Sequence, residues 1–352
     1  MLVFFKSKFT AQSTESWLKT VLFFQEYGYP AQLVVGHPTW DKLPGRLAIM
    51  TPFVRKLSGI LLKRFLLSKL TELPAGSICW CVGAPAGDIT FEKRIKWLGH
   101  KYIFNLLDDW FSVPQLRNTA LERIRIADLV AVPTRELQQR ILSEFPGARV
   151  EVFEEVLDVN AFELIQSNSF HAKKVVWNGR RGNAKHIYEI ARSLELAYNS
   201  VPFDLLLYGD SKRPDIELPL PWRWSPFSRE GEAKALSASR AGLDPVGTSL
   251  YDSCKGNYKV KVYLASGVPV IASPVGINTR LIKPGFNGFL PATDEDWTAA
   301  LLKLVSDDPL YHEMSGNARE FAIRHLSHEA VLPQWIESLS INISLPSQAL
   351  IK

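Results

Sequence analysis

The sequence predicts an α/β protein of two doubly wound domains, and three observations carry that prediction. The chain is 352 residues long, more than one hydrophobic core usually holds, so two domains of ordinary size are the first expectation. Short apolar runs alternate with helical stretches twice over, as buried parallel strands and their crossover helices do. The alternation stops around Asp158 to Ser169 and resumes at Lys173, with Gln166-Ser167-Asn168-Ser169 reading as a linker region. The expected boundaries are a first domain over 1–160, a second over 161–327, and a C-terminal helix and tail over 328–352 that pack back on the first domain.

The elements follow in order. Leu2 to Phe5 is an opening strand, and Ser13-Thr14-Glu15-Ser16 caps a helix through Trp17, Leu18 and Leu22. Ala31 to Val35, Ser77 to Val82 and Tyr102 to Leu107 are further strands, the last ending in Asp108-Asp109-Trp110. A helix over Leu116 to Ile126 leads to a strand over Asp128 to Val132. In the second half, Val175-Val176-Trp177 is a strand, Gly179 to Asn183 a turn and Ala184 to Tyr198 a helix. Strands over Phe203 to Tyr208, Gly242 to Asp244 and Val268 to Ala272 complete the pattern.

Composition narrows the class. Apolar residues make 46% and charged residues 22%, which is globular rather than disordered. No apolar run approaches the ~20 residues of a membrane span. Met1 to Lys6 is too short for a signal peptide and has no cleavage site. Cys79, Cys81 and Cys254 make no disulfide framework, and Cys79-Trp80-Cys81 lacks the spacer of redox and zinc pairs. Reduced thiols and a cytoplasmic location are expected. The net charge of +5 is uneven: Lys42 to Lys101 holds eleven Lys and Arg against three acids, and the rest is slightly acidic. Such asymmetry fits an anionic partner.

Gly242 to Pro291 is the most informative stretch. A helix starts near Tyr258, runs to Ala265 and ends at Gly267, where left-handed backbone is easy. A strand and a Pro/Gly loop follow, and open α/β sheets bind ligands at the carboxyl ends of such strands. Lys255 and Lys259 cluster at the helix amino end, where they suit a phosphate; two solvated lysines are the plainer alternative.

The order Lys-x3-Lys-x3-Tyr-Leu-Ala-x-Gly-Val-Pro-Val-Ile-Ala-Ser-x-Val-Gly-x-Asn, then Gly-x-Asn-Gly-Phe-Leu, resembles the donor domain of family-4 glycosyltransferases. Trp177 to Lys185 is similar to that family's first donor strand and loop, and Ala127 to Leu137 to the end of its acceptor domain. The resemblance implies the GT-B architecture, two Rossmann-like domains facing a central cleft. It implies transfer of a sugar from a nucleotide-sugar donor to a glycan, glycolipid or other hydroxyl acceptor, with retention of configuration and without a metal or other cofactor. The expected donor- and phosphate-binding residues are Arg180, Arg181, Lys185, Lys255, Tyr258, Lys259, Gly276 and Asn278. Without a metal, such cations would stabilise the departing diphosphate. Asp108 and Asp109 are the candidate catalytic residues, placed to orient or deprotonate an acceptor hydroxyl, unless they merely cap a turn.

One departure stands out. Many relatives carry Glu-x7-Glu, its second acid five residues before the helix-ending glycine. Counting back from Gly267 gives Val262 and then Cys254, neither acidic. That keeps a catalytically inactive sugar-nucleotide binder as an alternative. Asp210 after a strand keeps an NAD(P)-dependent oxidoreductase as a weaker one.

Other motifs fall away. Asp294-Glu295-Asp296 precedes an apolar helical run and reads as a helix start rather than a metal motif. His325 and His328 lack a third ligand. Arg55 to Leu70 is basic and apolar, with Val54, Leu57, Leu61 and Phe65 on one helical face and Arg55, Lys56 and Lys63 opposite. The segment 54–70 is thus a candidate contact with an anionic membrane surface, or else a buried helix with a cationic rim. No aromatic-basic motif accompanies the charge, so nucleic acid is not an expected partner.

Overall fold

The computed structural model describes residues 1–6, 11–35, 51–162, 173–209, 212–236 and 239–343, with backbone only at 11–15, 51–58 and 229. The chain forms two compact units, Met1–Glu154 with the chain from Val331, and Glu155–Ala330. The linker Gln166–Ser169 and Asp210 lie outside the described residues.

In the first unit, strands β1 (Leu2–Lys6), β2 (Ala31–Val35), β3 (Ile78–Val82), β4 (Lys101–Asn105), β5 (Leu129–Val132) and β6 (Val150–Val152) form one parallel sheet. Their spatial order is β2-β1-β3-β4-β5-β6. Helices α1 (Ala11–Glu26), α2 (Thr51–Thr71), α3 (Thr90–Trp97), α4 (Pro114–Ile126) and α5 (Arg135–Glu144) make the crossovers. The strands are near-continuous apolar runs because both faces are covered, and Cys79, Trp80 and Cys81 are all fully buried. Burial pushes the Cys79 thiol up to about 12, which leaves it unreactive. The last helix, His328–Ile343, brings Trp335 flat against Trp80, with centroids 5.1 Å apart, and the Trp335 indole donates to the Glu154 carbonyl at 3.2 Å.

Helix α2 buries Leu62, Leu66 and Leu70 at four-residue spacing, while Ile60 and Leu61 are 45% and 55% exposed. Each buried leucine contributes about 1.5–3 kcal/mol, so this row, not the one through Leu61, holds the helix. Lys63 pairs with Asp88 at 2.7 Å. The side chains of Val54, Arg55, Lys56 and Leu57 lie outside the described residues.

In the second unit, the chain runs β7 (Lys174–Gly179), α6 (Lys185–Glu189), α7 (Ala191–Ser200), β8 (Asp204–Gly209), β9 (Trp222–Pro226), α8 (Arg229–Leu236) and β10 (Ser239–Asp244). It continues through α9 (Leu250–Ser253), α10 (Tyr258–Ala265), β11 (Val270–Ala272), α11 (Asn278–Leu281), β12 (Gly288–Phe289), α12 (Asp294–Ser306) and α13 (Asp308–Leu326). All six strands are parallel, in the order β12-β11-β10-β7-β8-β9. That is the Rossmann winding, reversing direction between β7 and β10. The single helix expected over Ala184 to Tyr198 is two, because Ile190 leaves helical geometry at φ −103°. Asp296 closes a capping box with Thr293, so Asp294-Glu295-Asp296 opens a helix. Among the described residues no helix is long and apolar enough to cross a membrane.

Candidate functional site

Chain reversal at β7 and β10 leaves a crevice at their carboxyl ends, where two loops depart without crossing. The strand ends are set by close packing. Tyr263 of α10 presses its ring on Gly242, where any Cβ would fall 2.4 Å from the ring. Its hydroxyl accepts the Asn178 N–H at 2.7 Å, fixing the end of β7.

Asp244, the last residue of β10, is fully buried. Its carboxylate lies 3.1 Å from the Lys259 ammonium and accepts a hydrogen bond from Asn278 Nδ2 at 2.9 Å. Asn278 Oδ1 accepts from Asn257 Nδ2 at 2.8 Å. Asn257 takes the left-handed conformation, φ 46°, which asparagine tolerates better than most residues. Lys259 also lies 5.1 Å from the Trp177 ring centroid, so a carboxylate and an aromatic face both hold it. The turn before Asn278 needs Gly276: φ is +53°, and a Cβ there would stand 2.3 Å from the Ser253 carbonyl oxygen. Lys259, Gly276 and Asn278, far apart in sequence, thus form one assembly around Asp244.

A second carboxylate organises the neighbouring loop. Asp252 accepts from Lys255 at 2.6 Å and from the Ser249 hydroxyl at 2.6 Å. Burial alone would raise its pKa, but these hydrogen bonds and the charges of Lys255 and His186 hold the carboxyl below the usual range. His186 Nε2 lies 4.0 Å from Asp252 and Nδ1 is 3.0 Å from Glu189, linking this loop to the one after β7. Arg180, Arg181 and Lys185 are exposed on that loop. Tyr258 is half-buried at the start of α10 and packs on the core.

The two aspartates of the first unit differ. Asp108 is exposed. Asp109 is fully buried and caps the turn Trp110–Ser112, accepting from Phe111 N at 3.0 Å and from the Ser112 hydroxyl, with Arg140 3.8 Å away. Its oxygens are committed to that turn, the plainer of the two roles expected for it.

Asp244, Asp252 and His186 were not among the expected site residues. Strict Glu-x7-Glu spacing lands on Cys254 and Val262, which are 0% and 1% exposed and face the core; Asp252 stands two residues earlier. The signal for Asp244 is its place at the end of a strand at the winding reversal. Among the described residues no group of three or more His, Cys, Asp or Glu is placed to hold a metal ion. A groove of about 750 Å³ lies at the amino ends of β4, β5 and β6 in the first unit, lined by Lys101, Asp128, Glu144 and Arg149. Its acids already pair, Lys96 with Asp128 at 2.6 Å and Arg117 with Glu144 at 2.7 Å, and it lies on the far side from the strand ends where ligands bind.

Residues 263–321 match the family described as Glycosyl transferases group 1. No curated protein matches the chain in sequence. Among solved structures, the glycosyltransferase from Rickettsia africae is 12% identical, with 98% of each chain covered and a TM-score of 0.67. Sucrose-phosphate synthase from Thermosynechococcus elongatus is 15% identical over 98% of this chain and 99% of that one, TM-score 0.67. HepE of Anabaena, crystallised with UDP and glucose, is 15% identical over 97% and 99%, TM-score 0.65. At such identities the likeness is one of fold: the chain consists of two Rossmann-like α/β domains with parallel sheets, as in the GT-B fold.

Proposed function

We propose that the protein is a glycosyltransferase that moves a sugar from a nucleotide-sugar donor to an acceptor hydroxyl. The observation that carries this reading is Lys259, held by buried Asp244 at the winding reversal of the second unit, four residues before the start of the family match. In the reaction the bond from the anomeric carbon to the diphosphate breaks, a bond to the acceptor oxygen forms, and the acceptor loses its proton. The diphosphate leaves as an anion. Lys259, with Lys255 and the loop cations Arg180, Arg181 and Lys185, offsets that charge in place of a metal. Gly276 lets backbone approach the donor closely, and Asn278 keeps Asp244 and Lys259 in register.

Asp108 is the first unit's candidate to orient the acceptor. Retention of configuration rests on the sequence resemblance, and the departing phosphate then takes the acceptor proton. The acceptor is a glycan or glycolipid, and α2 meets an anionic membrane surface from the cytoplasmic side, supported by exposed Ile60 and Leu61 beside Lys63 and Arg64. HepE has been crystallised with UDP-glucose, so UDP-sugars are the first donors to try.

A second reading, a sugar-nucleotide binder without turnover, is favoured by Cys254 and Val262 lying in the core where relatives carry acids. Thermal shift against UDP-, GDP-, dTDP- and CMP-sugars tests the binding step, because a ligand specific to the folded state raises the melting temperature. Release of nucleoside diphosphate in the presence of acceptors separates the two readings. No response to any sugar nucleotide refutes both.

A further inference from the structure

We infer that the groove at the amino ends of β4, β5 and β6 is a binding site for an organic phosphate, separate from the carboxyl ends of the strands and independent of what the second unit does. Three cations line it: Lys101 at the start of β4, Arg125 in the last turn of α4 and Arg149 just before β6. All three are exposed. They are scattered in sequence, and the parallel sheet gathers them because each stands where a strand or its feeding helix meets the same end of the sheet.

The two acids of the lining are already answered by cations outside it. Asp128 accepts from Lys96 at 2.6 Å and from the Tyr102 backbone N–H at 2.7 Å, while Lys101 stands off at 3.8 Å. Glu144 pairs with Arg117 at 2.7 Å and Arg140 at 2.6 Å. The Arg125 side chain has no ion pair or hydrogen bond among the described residues. Arg149 donates one N–H to the Asn342 carbonyl at 2.6 Å, which steadies the guanidinium against the last helix and leaves the rest of its fork open. The plainer role for such cations is to offset helix carboxyl ends, and α4, α5 and the last helix all finish here. Each end carries only about half a negative charge, so three cations exceed what three helix ends require.

The surplus selects the ligand. A guanidinium is a planar fork that takes two phosphate oxygens at once, and a phosphate dianion answers several cations where a carboxylate brings one charge. At about 750 Å³ the groove is in the range of small-molecule sites, roughly 300–1,000 Å³, so it has room for more than the phosphate. Ile124 and Ile343, both 5% exposed, and half-buried Phe145 give it an apolar wall for a carbon skeleton. The shared chemistry is a phosphate on an organic group, carried either by a soluble metabolite or by a lipid headgroup.

The test uses the full chain with ¹³C-methyl isoleucines, Ile124 and Ile343 being assigned from Ile124→Val and Ile343→Val. Phenyl phosphate is the soluble probe and benzyl alcohol its neutral control. Flotation on phosphatidylglycerol vesicles, with α2 unchanged, is the lipid arm. The expected result is a saturable shift of both methyls with phenyl phosphate and none with benzyl alcohol. Arg125→Gln should weaken binding about three- to tenfold and the double variant with Arg149→Gln further, while Lys93→Gln, an exposed cation outside the groove, stays within twofold. Arg149→Gln also removes a bond to the last helix, so Arg125→Gln, which loses no contact, decides. Silent methyls together with flotation that falls at least threefold in Arg125→Gln assign the phosphate to a lipid. Silence in both arms, equal shifts with benzyl alcohol, or binding within twofold of wild type in Arg125→Gln in whichever arm responds overturns the inference. Each of these failures leaves the glycosyltransferase reading standing, because the signal is read at Ile124 and Ile343 and release of nucleoside diphosphate is measured apart.

Discussion

The pair of Lys259 and Asp244 separates stability from catalysis. At 3.1 Å and an effective dielectric near 20, the gross Coulomb attraction is ~5 kcal/mol. Asp244 is 0% exposed and the Lys259 side chain 18%, so solvent replaces little of it. Lys259→Met leaves a carboxylate buried with only Asn278 as partner among the described residues. Breaking such a pair from one side costs about 3–5 kcal/mol, which in a unit of this size lowers the melting temperature by roughly 10 °C. The double variant Lys259→Met with Asp244→Asn removes the stranded charge and keeps an amide beside Asn278. It should recover about 2–3 kcal/mol of the loss.

Turnover should not recover with it. If Lys259 meets the departing diphosphate, both variants lose about 10²–10³ in kcat, the worth of one charge-assisted contact made in the transition state. Denaturant titration of wild type, both single variants and the double variant gives the coupling energy, and release of nucleoside diphosphate gives the rate. A Lys259→Met destabilisation below about 1 kcal/mol would mean that the pair behaves as an exposed one. Restored turnover in the double variant would remove Lys259 from the chemistry and would falsify its placement at the phosphate.

Other outcomes follow from the same geometry. Arg180 and Lys185 are exposed and without partners among the described residues, so alanine at either should leave stability within about 0.5 kcal/mol while turnover falls; an unchanged rate in both takes the β7 loop out of the site. The Asp252 carboxyl is held below its ordinary value, so its contribution is complete above the unfolded value near 3.9 and fades as pH drops towards the folded one. Melting curves from neutral to strongly acidic pH should show less acid loss in Asp252→Asn than in wild type, and identical slopes would contradict the Lys255 contact. Flotation on liposomes with and without phosphatidylglycerol tests α2. Binding should require the anionic lipid, weaken with salt, and be lost when Arg55, Lys56, Lys63 and Arg64 are changed together to Glu. Proton NMR of the product's anomeric signal should show retention; inversion would give Asp108 the role of base.

How much of this was legible in sequence depends on what each feature answers to. Helix Tyr258–Ala265 agrees with its reading end to end, because a glycine stop and an apolar strand bound it locally. Three edge strands went unread: β6 spans only Val150–Val152, and β9 and β12 were missed for opposite reasons. The prolines before Trp222 mimic a loop, and Gly288-Phe289 is too short to show a period. Both are edge strands, whose pairing comes from the neighbour rather than from their own residues. The site divides in the same way. Its cations were visible because Lys255, Lys259, Arg180 and Lys185 stand at loop and helix starts, where local pattern already points to an anion.

Their counter-ions were not, since nothing in Gly242-Leu243-Asp244 says that a lysine fifteen residues on returns to the strand end. Fixed spacing also misled. A count from Gly267 assumes constant helix and loop lengths, and here it falls on Cys254 and Val262, both in the core, while Asp252 supplies the acid at that loop. The rule that recovers Asp244 is topological. In a doubly wound sheet, a carboxylate that ends a strand beside the winding reversal is buried among backbone N–H groups and incoming helix starts. It is costly to keep there unless a cation answers it. A terminal aspartate on such a strand therefore implies a basic partner on a following helix, and in this chain that partner is Lys259, on the helix whose lysine-tyrosine pattern first indicated a phosphate.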